Sequence, residues 1–473
     1  MFSIRFVETG RRESLRKKLL EEVKKDPESI VDLVLDLMER VETLEDQVKK
    51  NSANSSKPPS SDRSSQAKPK QRSLRGKSGK KPGGQKGHRG GTLKRTNNPD
   101  EIITHRLDIC PQTGRKLTDA DVVGKIRCQV FDIPEPKFVV TEHQYFVYRI
   151  PGSSKTAHKP FLAGAGAPVQ YGPRFGSLLV YLRDYQLIPL SRISQLTLDL
   201  YGQRISEDII NRFRKPCHEH LDRFEEQLKK RLLESPVLHA DETGIRIEKK
   251  TEWLHVLSNG EFTYLWAGDH RGGKAIDEMG ILRDYRGTLV HDCFKSYFTL
   301  DCEHALCNAH LLRELNFFIE IKQHTWAGKM KALLCQALQE PDATTARGWK
   351  QRYARILSEA KSEHPHTPAH RKKGRRGRVA KPAVNNLIER FEHHREDILR
   401  FITNNAVPFT NNQGERDLRM AKVQQKISGT FRTWTGARRF ARIRSYISTA
   451  QKHAVSIYDA LLEAIQGRPM FCQ

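Results

Sequence analysis

The chain has little cysteine, no long apolar run and few acids for its bases, and each shortage removes a class of protein. Eight cysteines among 473 residues lie scattered, at no spacing that makes a disulfide framework, which excludes a small stapled scaffold. No stretch is apolar over the roughly 20 residues that a bilayer-spanning helix needs. A secretory apolar segment is also missing, so reduced thiols in a cytoplasm are expected. Only 56 acids stand against 82 lysines and arginines, leaving a formal net charge of +26. A polyanionic partner is therefore the first expectation, because each neutralised phosphate releases counterions. Charge alone does not separate DNA from a ribosomal or membrane-surface partner. The length suits two to four domains.

Apolar side chains are nearly absent from residues 51–97, where fifteen basic residues from Lys49 to Arg95 face the single acid Asp62. Such a segment buries too little to offset the entropy of ordering and is expected to be a disordered basic linker. Its Lys80, Lys81 and Lys86 suit a salt-sensitive tether along a DNA backbone; a solvated spacer is the plain alternative. In the preceding residues 1–50, two helical patches are divided at Pro27. Ile30, Val34, Leu37, Val41, Leu44 and Val48 step by four and three, a leucine-zipper-like seam of about three heptads. A coiled-coil contact between subunits is preferred to docking on the same chain, because the linker that follows supplies no core.

Residues 98–160 carry β-branched and aromatic runs at Ile102–Leu107, Gln129–Ile133 and Phe138–Ile150, which predict a small β domain. Residues 161–235 read as helical. Leu190–Leu200, a turn at Tyr201-Gly202-Gln203 and a second helix from the cap Ser206 make a helix-turn-helix pattern. Arg204, Arg212 and Arg214 are its candidates to meet DNA, although such helix pairs are common without that role.

Two short apolar runs then end on aspartates. Val237-Leu238-His239-Ala240-Asp241 and Thr288-Leu289-Val290-His291-Asp292 predict buried strands that each deliver a carboxylate to the edge of a sheet. Near the C-terminus, Thr410-Asn411-Asn412 are good caps for a helix whose first turn holds Glu415. Three carboxylates brought together repel one another unless a divalent cation lies between them, so a magnesium site is predicted. Arg419 and Lys422 follow Glu415 on nearly the same helix face and would place cations beside a phosphate. Strand alternation predicts that Glu242 faces away from Asp241. Asp269 and Asp417 are the credible substitutes for the named acids.

The Asp241, Asp292, Glu415 order, the His-Ala-Asp-Glu-Thr context, Cys307-Asn308-Ala309-His310 and the Asn-Asn-x-x-Glu-Arg helix start resemble a DDE transposase of the insertion-sequence-66 family. The resemblance implies an α/β multidomain protein with a ribonuclease-H-like catalytic core, a mixed five-stranded sheet with helices. The core would span 236–302 and 405–465, interrupted by a helical insertion at 303–404 and followed by a tail at 466–473. Strand, hairpin, helix, strand is the order that brings both aspartates to one edge. The implied chemistry uses two Mg2+ or Mn2+ ions on Asp241, Asp292 and Glu415 to cut the ends of an element and join its 3′ hydroxyls to target DNA. Double-stranded DNA, a homo-oligomer and small accessory proteins of the same element are the implied partners.

The family's zinc ribbon in 98–160 is broken here. Cys110 keeps one thiol of the first pair and Tyr148–Gly152 neither of the second, so a metal-free remnant held by its strands is expected. Cys302, His304, Cys307 and His310 match no common zinc signature, and zinc is not expected there; His310 is read as a pocket or DNA-contacting residue. The basic loop 370–378 suits DNA or solvent equally. Two other readings stay open: a nuclease or resolvase of the same fold that cleaves without joining, and a DNA-binding protein with vestigial carboxylates.

Overall fold

The computed structural model describes residues 26–55, 91–161, 167–340, 346–365 and 381–472, with a few single positions between 16 and 88. Helix α1 (Pro27–Lys49) presents Val34, Leu37, Val41, Leu44 and Val48 on its surface; the Ile30 side chain lies outside the described residues. Its C-terminal end is docked by charge. Lys322 reaches Glu42 at 2.8 Å and Asp46 at 2.9 Å, and Lys50 lies over the Phe317 ring.

The segment expected to be rich in strands departs most from its sequence reading. Ile102–Leu107 and Gln129–Ile133 form no strands. Within residues 98–160 the strands are β1 (Val147–Arg149) and β2 (Thr156–His158), which pair with each other, and a single isolated bridge joins Ile109 to Lys116. Ile126, Val130, Ile133, Val139 and Val140 remain exposed. High β propensity here met no opposing layer to bury against, and a lone short hairpin does not create one.

Helices α2 (Pro173–Val180), α3 (Leu190–Tyr201), α4 (Glu207–His220) and α5 (Asp222–Leu233) follow, with a π turn at Tyr181–Tyr185. The expected helix-turn-helix order is present. Gly202, at φ +68°, closes α3 in the left-handed conformation that glycine adopts without penalty. Ser206 Oγ then accepts from the Ile209 N–H to start α4. Leu179, Ile193, Ile205 and Ile210 form the shared core.

Strand β3 (Val237–Ile247) runs six residues past Asp241 instead of ending on it. Glu248 and Lys249, both at positive φ, make a two-residue turn, and β4 (Lys250–Ser258) folds back with Asp241 opposite Val256. That hairpin was invisible in sequence because its turn lacks the usual glycine or asparagine. In the second hairpin, Asn259 Oδ1 accepts from the Glu261 and Phe262 N–H groups and turns the chain into β5 (Thr263–Gly268). After α6 (Gly273–Met279), β6 (Thr288–His291) pairs parallel to β3, and β7 (Glu303–Leu306) parallel to β6. The result is a mixed five-stranded sheet in the order β5-β4-β3-β6-β7, with its first and fourth strands side by side as expected. β7 falls inside the stretch read as helical insertion.

Among the described residues, five helices separate β7 from the third acid: α7 (Asn308–Glu320), α8 (Thr325–Gln339), α9 (Ala346–Glu363), α10 (Ala383–His393) and α11 (Arg395–Thr403). Trp326, Tyr353 and Phe391 are buried at their common core. Helices α10 and α11 are separated at His394, whose ψ of 28° leaves the helical range. The chain closes with α12 (Asn412–Ser428), α13 (Trp434–Lys452) and α14 (Ile457–Ile465). Phe440, Ile443, Ile447 and Ala450 of α13 are buried, and Ser445 Oγ accepts the Leu265 N–H at 2.8 Å, seating α13 on β5. Ser177 donates to the Tyr458 carbonyl, joining α2 to α14. No described helix is long and apolar enough to cross a membrane.

Candidate active site

The pairing of β3 with β6 ends at His239 opposite Val290. Asp241 and Asp292 each lie two residues beyond that last pair. Alternation then puts them on the same side of the sheet at equivalent positions. The third acid comes from the first turn of α12, which lies unusually close to β3. A Cβ built on Gly414 would stand 3.3 Å from Asp241 Cβ and 3.2 Å from Asn411 Oδ1. Glycine at 414 is what lets Glu415 approach.

Asn411 holds this approach in place. Its Nδ2 donates to the Ala240 carbonyl at 2.8 Å, its Oδ1 accepts from His239 Nδ1 at 2.8 Å, and its backbone N–H donates to Cys307 Sγ at 3.2 Å. Sequence reading treated Asn411 only as a helix cap. The side chain makes no cap bond; it ties α12 to β3 instead, and its N–H reaches the start of α7. A substitution tests the packing. Glycine to alanine inside a helix normally stabilises by about 0.5–1 kcal/mol, but Gly414→Ala is expected to destabilise in urea unfolding, because the neighbours are a strand and a pinned asparagine.

Burial and mutual repulsion push the acids toward their neutral forms. Asp241 lies well above the usual carboxylate range, first through burial, then through the charges of Glu242, Asp292 and Glu415. Asp292 is raised to about 6, by burial and then by Glu242. Glu415 is raised by burial, with Arg313 and Arg419 opposing. The pH consequence has a definite sign. Asp292 holds its proton more tightly when folded than when unfolded, so the folded state loses stability as pH rises from about 4 to about 6. Asp292→Asn is expected to exceed the parent by roughly 2–3 kcal/mol above that window and to match it at or below pH ~4, as read by urea unfolding at the two pH values.

Several site groups carried no sequence signal. Glu242, with its side chain 1% exposed, is held by Arg271 at 2.8 Å and by the Tyr297 hydroxyl at 2.8 Å. Arg271 itself lies over Trp253 and Phe294. Glu242 was expected to face away from Asp241, yet its charge is the largest acidic influence on both aspartates. Among the described residues, the one group of three ligand-type side chains whose ligand atoms lie within 4.8 Å of one another is Cys307, His310 and Glu415. Cys302 and His304 do not join it; His304 Nδ1 meets His291 Nε2 instead.

The proposed DNA contacts divide. Arg419 is exposed beside Glu415, and Lys422 Nζ donates to the Gly244 carbonyl at 2.6 Å. Arg204 and Arg212 are exposed and bonded to Gln195 and Asp208. Arg214 is a correction: it is 5% exposed and makes two 2.7 Å bonds to the fully buried Asp184, so it braces helices and does not face DNA. His310 is partly buried, with a ring nitrogen within 4.8 Å of the Glu415 carboxylate. Lys80, Lys81, Lys86 and the basic loop 370–378 lie outside the described residues. Of the substitute acids, Asp417 is tied to Lys452 at 2.9 Å, and Asp269 is exposed beside His270.

A family model described as "Transposase IS66 family" matches residues 168–439, more than half of the chain. A second model, for a family of unknown function, matches residues 11–94. No curated protein matches. The matched span includes the five-stranded sheet, the inserted helices and the first turn of α12. On that match the chain belongs to the IS66 family of transposases.

Proposed function

We propose that the protein binds the ends of its DNA element, cuts them and joins the freed 3′ hydroxyls to target DNA, using Asp241, Asp292 and Glu415 on a ribonuclease-H-like core. The observation that carries this reading is the equivalent placement of the two aspartates past the last β3–β6 pair, with Gly414 packed against Asp241. The donor set also fits a divalent cation. The three carboxylates lie near enough for their charges to raise one another's pKa, although the three together are not a group whose ligand atoms gather within 4.8 Å, and hard cations favour oxygen ligands of like charge.

Asp241, Asp292 and Glu415 would hold two Mg2+ or Mn2+ ions. When bound, these supply activation of the attacking oxygen and stabilisation of the leaving one. The chain's own residues do the positioning. Asn411 fixes the distance between α12 and β3. Arg271 and Tyr297 keep Glu242 occupied, so that its charge shapes the pocket without serving as a ligand. Arg419 and Lys422 offer cations to phosphates flanking the cut. Arg204 and Arg212 extend the contact along DNA, His310 meets the strand inside the pocket, and Lys80, Lys81 and Lys86 supply the salt-sensitive tether. A homo-oligomer, with accessory proteins of the same element, would bring two ends together.

Incubation of the full chain with element-end oligonucleotides and magnesium tests the reading. Joined products support it. Cleavage without joining favours a nuclease or resolvase, and binding without cleavage, unchanged by Asp292→Ala, favours a DNA-binding protein.

A further inference from the structure

Cys307 has no part in the function proposed above and His310 only a DNA contact, yet the fold brings both to Glu415. Cys307 follows β7 directly and is the cap position of α7; His310 follows within the first turn, its N–H bonded to the Cys307 carbonyl at 3.2 Å. The thiol is buried, and His310 Nδ1 is buried with no hydrogen-bond partner. An orphaned ring nitrogen in that setting lacks the partner that buried polar atoms normally find.

The geometry points to a transition-metal site formed by Cys307, His310 and Glu415, separate in its ligand set from the aspartate pair and sharing only Glu415 with it. Sulfur, nitrogen and oxygen ligands of this kind suit zinc, whose bonds are about 2.0–2.3 Å long. Ligand atoms already within 4.8 Å of one another close on a single ion with small side-chain shifts. Three protein ligands leave the fourth tetrahedral position to water or a phosphate oxygen, as in zinc sites that keep an open position. The thiol gives its proton to solvent as the sulfur–metal bond forms. The Asn411 N–H already directed at Sγ is the kind of outer contact that orients a thiolate ligand. Thiolate and imidazole select zinc over magnesium, so an ion here competes with the aspartate pair for Glu415.

Cobalt(II) added to the full chain serves as the probe, because a cobalt–thiolate bond gives a charge-transfer absorption that oxygen ligands do not. The expected result is a band that saturates near one equivalent and is displaced by Zn2+. Cys307→Ser should abolish it, and His310→Ala and Glu415→Gln should each weaken cobalt binding at least about tenfold. Asp292→Ala should leave it unchanged, which separates this site from the proposed magnesium site: loss of strand joining in that variant with the band intact tests the two readings independently. No band in the parent chain, or an equal band in Cys307→Ser, overturns the inference. If Cys307→Ser fails to fold by circular dichroism, unchanged cobalt affinity in folded His310→Ala overturns it equally.

Discussion

Asp292→Ala is expected to lower DNA cleavage and joining by at least about 10³-fold, with binding of the element ends nearly unchanged. Loss of even an outer partner of a metal ligand costs roughly 10–100-fold, and residues that act as a unit lose more when one is removed. Asp241→Ala should fall as far, since the two carboxylates occupy equivalent positions beyond the same strand pair. The double variant should be little worse than either single one. The control is Asp269→Ala, which alters an exposed carboxylate outside the pocket and should keep the parent's activity. Gel assays of cleaved and joined products, with filter binding on the same preparations, read all four. Activity that survives Asp292→Ala would mean that the pocket is not where phosphodiesters are cut.

Arg214→Ala is expected to cost about 3–5 kcal/mol of stability, because it strands the fully buried Asp184 carboxylate without its cation. Any loss of DNA binding in that variant should follow unfolding in urea and disappear at temperatures where the chain stays folded. Arg204→Ala and Arg212→Ala should behave in the opposite way. Both side chains are exposed, so stability should change by no more than about 0.5 kcal/mol. If α3 and α4 meet DNA, each should reduce the salt dependence of binding by about one phosphate contact. An Arg214→Ala chain as stable as its parent would contradict the packing between α4 and the π turn.

Local sequence was a good guide wherever a short-range signal decided the structure. The Asp292 strand, the Gly202 turn and the Ser206 cap depend on neighbours a few residues away, and each appears where its pattern placed it. It misled where burial had to be supplied from afar. The β-branched runs between 102 and 150 have strand propensity but no opposing layer, so most form no strand and stay exposed. Glu248-Lys249 turns the chain without a turn signature, so the length of β3 was misread.

The sequence by itself determined the charge that calls for a polyanion, the three acids and the order of elements that carries them, because composition, alternation and capping are properties of neighbouring residues. Only the tertiary structure decided which side chains share a pocket. Arg214 turned inward to Asp184, Asn411 was taken from capping to clamp α12 on β3, and Glu415 was brought to Cys307 and His310 across more than a hundred residues. The first pairing rests on the packing of α4 against the π turn, the others on strand register and on the space left by one glycine, and none of these is a property of any segment taken alone.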